Sequence, residues 1–247
     1  MADLTMIGAA LLPSLFLLVY FIRSDRFPEP WGGILGTFGF GVATVAPVLA
    51  IVVPLQNLLE PRVTDPFALA GVQAFILAAL PEEALKLAVL LGFSRRLKAF
   101  DEPMDGLVYG VVASLGFATF ENVLYVAGGG DGWLGIALVR AFSAVPGHAM
   151  LGAIMGFYIA RAHFEPEAAR GMIARALIVP VLLHGIYDFG LLATVNSGEA
   201  GWVLIGIAVL IVELVWTVRL HRRLRRAQQR RLVEESAAAM AAPHLGT

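Results

Sequence analysis

Seven long apolar runs, at about residues 4–22, 31–55, 67–93, 104–127, 133–162, 173–195 and 202–220, divide the chain and constrain its fold more than any other feature. A run of about 20 apolar residues matches the thickness of a bilayer's hydrocarbon core. Inside that core the backbone must satisfy its own hydrogen bonds, which for a single run means an α-helix. The 247 residues are 58% hydrophobic and 15% charged, with a mean hydropathy of +0.77, far from the composition of a soluble domain. The reading is an all-α, polytopic helical bundle with about seven transmembrane helices in residues 1–220, followed by a basic and then disordered cytoplasmic tail in 221–247. The opening MADLT lacks the positive region of a cleavable signal, so the first run is kept as a span. The fifth run is too long for one straight span and contains Pro146, so a kink is expected near Val145, Pro146 and Gly147.

Positive charge sets the expected orientation. Arg23 and Arg26 follow span one, Arg95, Arg96 and Lys98 follow span three, and Arg161, Arg170 and Arg175 surround the link from five to six. Seven arginines between Arg219 and Arg231 follow span seven, whereas the opposite side receives only Arg62. The cytoplasmic side carries the Lys/Arg excess, which places the N-terminus outside and the C-terminus in the cytoplasm. Directly after a span, the arginine run reads as a membrane anchor rather than a nucleic-acid site. No internal repeat of the kind found in many secondary transporters is visible. The GGGDGWLG stretch has no strand before it and reads as a membrane loop rather than a phosphate cradle.

Against that background the ionisable residues inside the spans stand out. Each costs a few kcal/mol at mid-membrane, so each faces the bundle interior or a wet cavity and is a functional candidate. Span three carries Glu82, Glu83 and Lys86, span four Glu121 and Asn122, span five Arg140 and His148, and span six His184 and Asp188. Lys86 is four residues from Glu82 and three from Glu83, so it can neutralise one while the other points elsewhere. His184 and Asp188 also share a helix face, where the carboxylate can fix the ring's tautomer. At about 1.5 Å per residue, Glu83, His148 and His184 lie at similar depths, roughly 14–21 Å from the cytoplasmic charges, with Glu121 somewhat nearer the outer face.

With no cysteine in the chain, thiol chemistry and cysteine-based zinc sites are excluded. A carboxylate and an imidazole around one water can supply a general base and an oxyanion donor, enough for amide hydrolysis. Two histidines and a glutamate can instead hold zinc, with the second glutamate as base, although H-E-x-x-H is absent. Adjacent helical positions differ by about 100°, so only one of Glu82 and Glu83 points straight at the site, and Glu83 is the preferred base. Each residue also has a structural reading: an ion pair for Glu82, Glu83 and Lys86, a packed core imidazole for His148, a hydrogen bond to a neighbouring helix for Asn122, outward snorkelling for Arg140. Asp105 reads as a helix cap, Gly106/Gly110 and Gly152/Gly156 as close helix contacts, and Tyr109 and Tyr125 as packing or interface residues.

The motifs PEEALK (81–86), DGLVYG (105–110), SLGFATFEN (114–122), RAF…PGHAMLGAIMGFY (140–158) and PVLLHGIYDF (180–189), with YFIRSDRFPEP (20–30), together resemble the PrsW family of bacterial intramembrane proteases. More remotely they are similar to the glutamate-dependent CAAX-prenyl endopeptidases and bacteriocin-immunity proteases. The resemblance implies that Glu82 and Glu83 match the family's glutamate pair, that Glu121 stands at the second motif, that His148 is the third, and that His184 with Asp188 matches the last. Lys86 follows the pair at a shorter spacing than the arginine of those remoter relatives, and Glu121 replaces a histidine. The glutamic and zinc mechanisms both stay open, with no cofactor favoured. The resemblance also implies a multi-pass protein of the bacterial cell membrane that cuts membrane-anchored substrates of the anti-sigma-factor kind. The rival is a proton- or cation-coupled transporter using the same acids and imidazoles as a relay.

Overall fold

Helix boundaries fall where the sequence supplies a cap, a proline or a glycine. The computed structural model describes residues 4–241, among which there is no strand. Helix α1 (Leu4–Ser24) leads through an extended linker to α2 (Trp31–Ala43) and α3 (Val45–Leu59). Asp65 caps α4 (Pro66–Gly71), its carboxylate accepting from the Phe67 and Ala68 amides at 3.1 and 2.7 Å. A π-helical stretch, Val72–Ala79, then runs without interruption into α5 (Leu80–Gly92). Its wide turn, in which the Leu80 amide reaches back to Phe75 O, lies directly before Pro81, a residue that cannot donate to an α-helical ladder.

Helix α6 (Pro103–Gly128) begins with a capping box between Glu102 and Asp105 and with proline at its first position, so Asp105 is the cap the sequence predicts. The fifth apolar run is two helices, α7 (Trp133–Phe142) and α8 (Ala144–Phe164). The break falls at Ser143 (φ −126°, ψ −82°), just ahead of the expected position. Pro146 thereby sits in the first turn of α8, where a missing amide hydrogen costs no intrahelical bond. Helix α9 (Ala169–Ser197) stops at Gly198, whose φ of 76° is the left-handed conformation glycine adopts freely. Helix α10 spans Val203–Ala241.

Six stretches are long and apolar enough to cross a bilayer: Leu4–Ser24, Trp31–Arg62, Pro103–Gly128, Gly130–Phe164, Pro166–Ser197 and Ala200–Ala237. They correspond to six of the seven expected spans. The expected third span is also helical, from Pro66 to Gly92, but its π-helical stretch divides it into three short pieces, none of which is by itself long enough to cross. The outer surface is apolar: Leu12, Phe16, Leu35, Phe142, Val195 and Leu204 are each more than 60% exposed, the pattern of a lipid-facing surface. The protein is a polytopic helical membrane protein.

One expectation is corrected. Within the tail at 221–247, expected to be basic and then disordered, the helix continues as far as Ala241, so residues 232–241 of the part expected to be disordered are helical. Residues 242–247 of the expected tail lie outside the described residues.

Helix α6 is the axis of the bundle, with 78% of its apolar window buried. It packs on α8 through the expected glycines. A β-carbon on Gly110 or Gly156 would run into the carbonyl oxygen of Gly152 or Gly106, so only glycine permits this separation. The α6–α8 contact fixes how Glu121 and His148 face each other across the interior.

Candidate active site

All the ionisable residues singled out in the spans meet. Helix α5 presents Glu82, Glu83 and Lys86 on one buried face immediately after the π-helical turn. The Lys86 ammonium donates to Glu82 Oε2 at 3.2 Å and Glu83 Oε1 at 2.8 Å, lies 3.1 Å from His148 Nδ1 and sits 4.2 Å above the Phe117 ring. The far side of the His148 ring lies 3.0 Å from Glu121 Oε2, which also accepts from Arg140 Nη2 at 2.6 Å. Arg140 Nε donates to Asn122 Oδ1 at 2.8 Å, and Asn122 Nδ2 donates to the Ala10 carbonyl at 2.7 Å. From α9, His184 places Nδ1 at 2.9 Å from Glu83 Oε1 and Nε2 at 3.2 Å from Asp188 Oδ2. The nine residues thus form one continuous hydrogen-bonded chain drawn from five helices, with the two imidazoles 5.3 Å apart and nearly perpendicular.

Lys86 and Glu83 are 0% exposed. Buried charges at this depth cost several kcal/mol each unless paired and hydrogen-bonded. Here the three N–H bonds of the ammonium have three acceptors, the two glutamates and His148 Nδ1.

A cavity of about 70 Å³ opens at this cluster, bounded by Glu82, Glu121, Arg140, His148, His184 and Asp188 among others. That is room for water, which needs about 10–15 Å³. The two glutamates differ in their relation to it. Glu82 lines the cavity, whereas Glu83 is turned toward Lys86 and His184 and leaves Oε2 buried without a partner. A wider groove of about 370 Å³ shares Ala78, Tyr125, Arg140, Tyr187 and Asp188 with the cavity and continues past Gln56, Glu60 and Gln73. The cavity is therefore continuous with a groove between helices.

Three lining residues escaped the sequence reading of the site. Glu213 on α10 is 1% exposed, borders the cavity and has no partner for either carboxylate oxygen. Marking every acid within an apolar run would have found it. Tyr125, expected to serve packing, lines the cavity and stacks under the Arg140 guanidinium at 4.0 Å, and Tyr187 lines it from α9.

Glu82, Glu83, His148 and His184 each offer one ligand atom, all within 4.8 Å of one another. Two imidazoles and two carboxylates suit zinc in kind. Lys86 contests the position, because its ammonium already hydrogen-bonds three of the four residues.

A sequence profile described as PrsW family intramembrane metalloprotease matches residues 15–218. The chain is 40% identical to Protease PrsW of Geobacillus kaustophilus over 195 residues, 78% of this chain and 83% of that protein. It is 40% identical to Protease PrsW of Bacillus subtilis over 192 residues, 77% of this chain and 84% of that protein. Protease PrsW of Oceanobacillus iheyensis is 31% identical over 230 residues, covering 93% of this chain and 99% of that protein. No solved structure matches the chain.

Proposed function

Because the chain belongs to the PrsW family of intramembrane proteases, we propose that it hydrolyses a peptide bond of a membrane-anchored protein with a water activated by Glu82. The observation that carries this reading is the position of Glu82, the one member of the glutamate pair that borders the cavity shared with both imidazoles. The water's proton passes to Glu82 as the hydroxide adds to the scissile carbonyl, giving a tetrahedral oxyanion. Arg140 borders the same cavity and supplies N–H donors to that oxyanion; the guanidinium has five N–H groups, and Glu121 and Asn122 engage only part of them. Glu82 then returns the proton to the leaving nitrogen as the C–N bond breaks. Glu83 holds Lys86 and His184 in place, and Asp188 orients His184 from the other side.

The lateral groove admits a locally unwound segment of a substrate helix, whose exposed carbonyl reaches the cavity. The family resemblance points to a single-span substrate of the anti-sigma-factor kind in the bacterial cell membrane. The Lys/Arg distribution favours an N-terminus outside and a C-terminus in the cytoplasm.

A second reading draws on the family's description as metalloproteases. His148, His184 and Glu83 would be the ligands, and the metal would supply Lewis-acid activation of the carbonyl. The position of the Lys86 ammonium among those donors favours the metal-free route.

The test is cleavage of a single-span substrate by purified protein in detergent, where vectorial transport has no meaning. Wild type, Glu82→Gln and His184→Ala are compared with and without chelator, alongside elemental analysis. Cleavage that persists in metal-free wild type and disappears in Glu82→Gln is the expected result. Full activity in Glu82→Gln would remove the base assignment, and loss on chelation with recovery on zinc would replace it by the metal reading.

A further inference from the structure

The motifs YFIRSDRFPEP and DGLVYG have no part in the chemistry above, yet they converge. Asp25 and Glu29, from the linker between α1 and α2, meet Asp105 at the start of α6, each with a carboxylate oxygen within 4.8 Å of the others. The cluster lies about 24 Å from Glu121 along α6, at about 1.5 Å per residue.

Each aspartate is anchored by one oxygen and leaves the other unsatisfied. Asp105 Oδ2 accepts from the Asp101 and Glu102 amides, both at 2.7 Å, while its Oδ1 is buried without a partner. Asp25 Oδ1 accepts from the Phe27 amide at 3.0 Å and from Gln228 Nε2 at 2.6 Å, while its Oδ2 has none. Glu29 is held by the Tyr109 hydroxyl at 2.5 Å. Gln228 of α10, 4% exposed, also donates to Glu102 and leaves its carbonyl Oε1 buried and unpartnered. Asp105 is 1% exposed and Asp25 8%. Among the described residues, none of Asp25, Glu29 and Asp105 has an ion pair; the nearest such contact joins Glu102 to the exposed Arg231 at 3.6 Å.

Three carboxylates and an amide carbonyl, fixed by anchored oxygens and presenting orphaned ones, make a hard-oxygen donor set without a salt-bridge partner. We propose that Asp25, Glu29 and Asp105, with the Gln228 carbonyl, bind a divalent cation of the Mg²⁺/Ca²⁺ class and thereby clamp the α1–α2 linker to α6 and α10. Such ions take carboxylate and carbonyl oxygens, with waters completing the shell.

The test uses full-length protein in detergent, freed of metal with chelator and then titrated with MgCl₂ or CaCl₂ while Tm and binding heat are followed. Wild type is expected to show a saturable rise in Tm with at least one ion, the preferred one reporting the size of the cage. Asp25→Asn and Asp105→Asn are expected to weaken binding by about tenfold or more through loss of ligand charge. Glu29→Gln, which can keep the Tyr109 hydrogen bond, serves where an aspartate variant fails to fold. Glu82→Gln is expected to bind as wild type does, because it alters only the catalytic cluster. No saturable response to either ion up to about 10 mM, tenfold above the weakest protein calcium sites, would overturn the proposal. An undiminished response in Asp105→Asn and Glu29→Gln, or a response abolished by Glu82→Gln, would also overturn it. None of these readouts depends on proteolysis, so the catalytic reading stands or falls separately.

Discussion

Lys86 Nζ lies 3.1 Å from His148 Nδ1. An ammonium has no lone pair to offer, so Nδ1 is the acceptor and the ring's proton is on Nε2, where it donates to Glu121 Oε2 at 3.0 Å. One lysine therefore fixes the tautomer of a cavity imidazole while compensating the glutamate pair on its own helix.

Replacing Lys86 by methionine is expected to cost about 3–5 kcal/mol of stability, because Glu82, Glu83 and His148 lose their common donor in a buried site. Cleavage should be lost as well. The telling measurement is a double-mutant cycle: Glu83→Gln should be less damaging in the Lys86→Met background than alone. Additive effects on Tm would show that the pair is not coupled.

The α6–α8 glycines yield a packing prediction. Gly110→Ala and Gly156→Ala place a methyl against a facing backbone carbonyl and should destabilise the protein by about 1–3 kcal/mol or more, with cleavage reduced because Glu121 and His148 move apart. Gly39→Ala, with open space around its added carbon, is the control and should behave as wild type. Equal Tm values for the three variants would contradict the close approach.

Glu213 is buried with no partner for either oxygen. An acid in that state is a burden on folding, so Glu213→Gln, nearly isosteric and uncharged, is expected to raise stability by about 1–3 kcal/mol. Thermal unfolding in detergent checks the sign, and a fall in Tm would mean that the carboxylate has a stabilising partner.

Much of the site was legible because hydrocarbon makes ionisable residues conspicuous: Glu82, His148, Arg140 and His184 each interrupt an apolar run, and a residue too costly to expose must meet something inside. Which glutamate borders the cavity was not legible, since it depends on how α5 is turned about its axis, and in the fold it is Glu82 that lines it. Glu213 has no charged neighbour three or four residues away on α10 to mark it as part of a group. Asp25 and Glu29 lie in a polar linker, where acids are unremarkable until the fold buries them. The helix over residues 232–241 was missed because a polar terminal stretch suggested solvation, although Leu, Glu and Ala are strong helix formers and Arg231 pairs with Glu235 at 2.8 Å.

The linker acids carry a pH signature whose sign is fixed by burial. Desolvation raises the Glu29 carboxyl above its ordinary 4.5, outweighing its hydrogen bond from Tyr109, while Asp25 and Asp101 act in the same direction as burial. A folded value above the unfolded one means that the native state binds the proton more tightly, so the contribution is complete below 4.5 and is lost as pH rises through the folded value. In chelator, the stability of wild type relative to Glu29→Gln should therefore fall as pH is raised from 4.5 toward neutrality, the subtraction cancelling the titrations the two proteins share. Thermal unfolding across that range measures it. A difference that is flat or grows with pH would mean that Glu29 is compensated by positive charge, and the linker would then have no need of a cation.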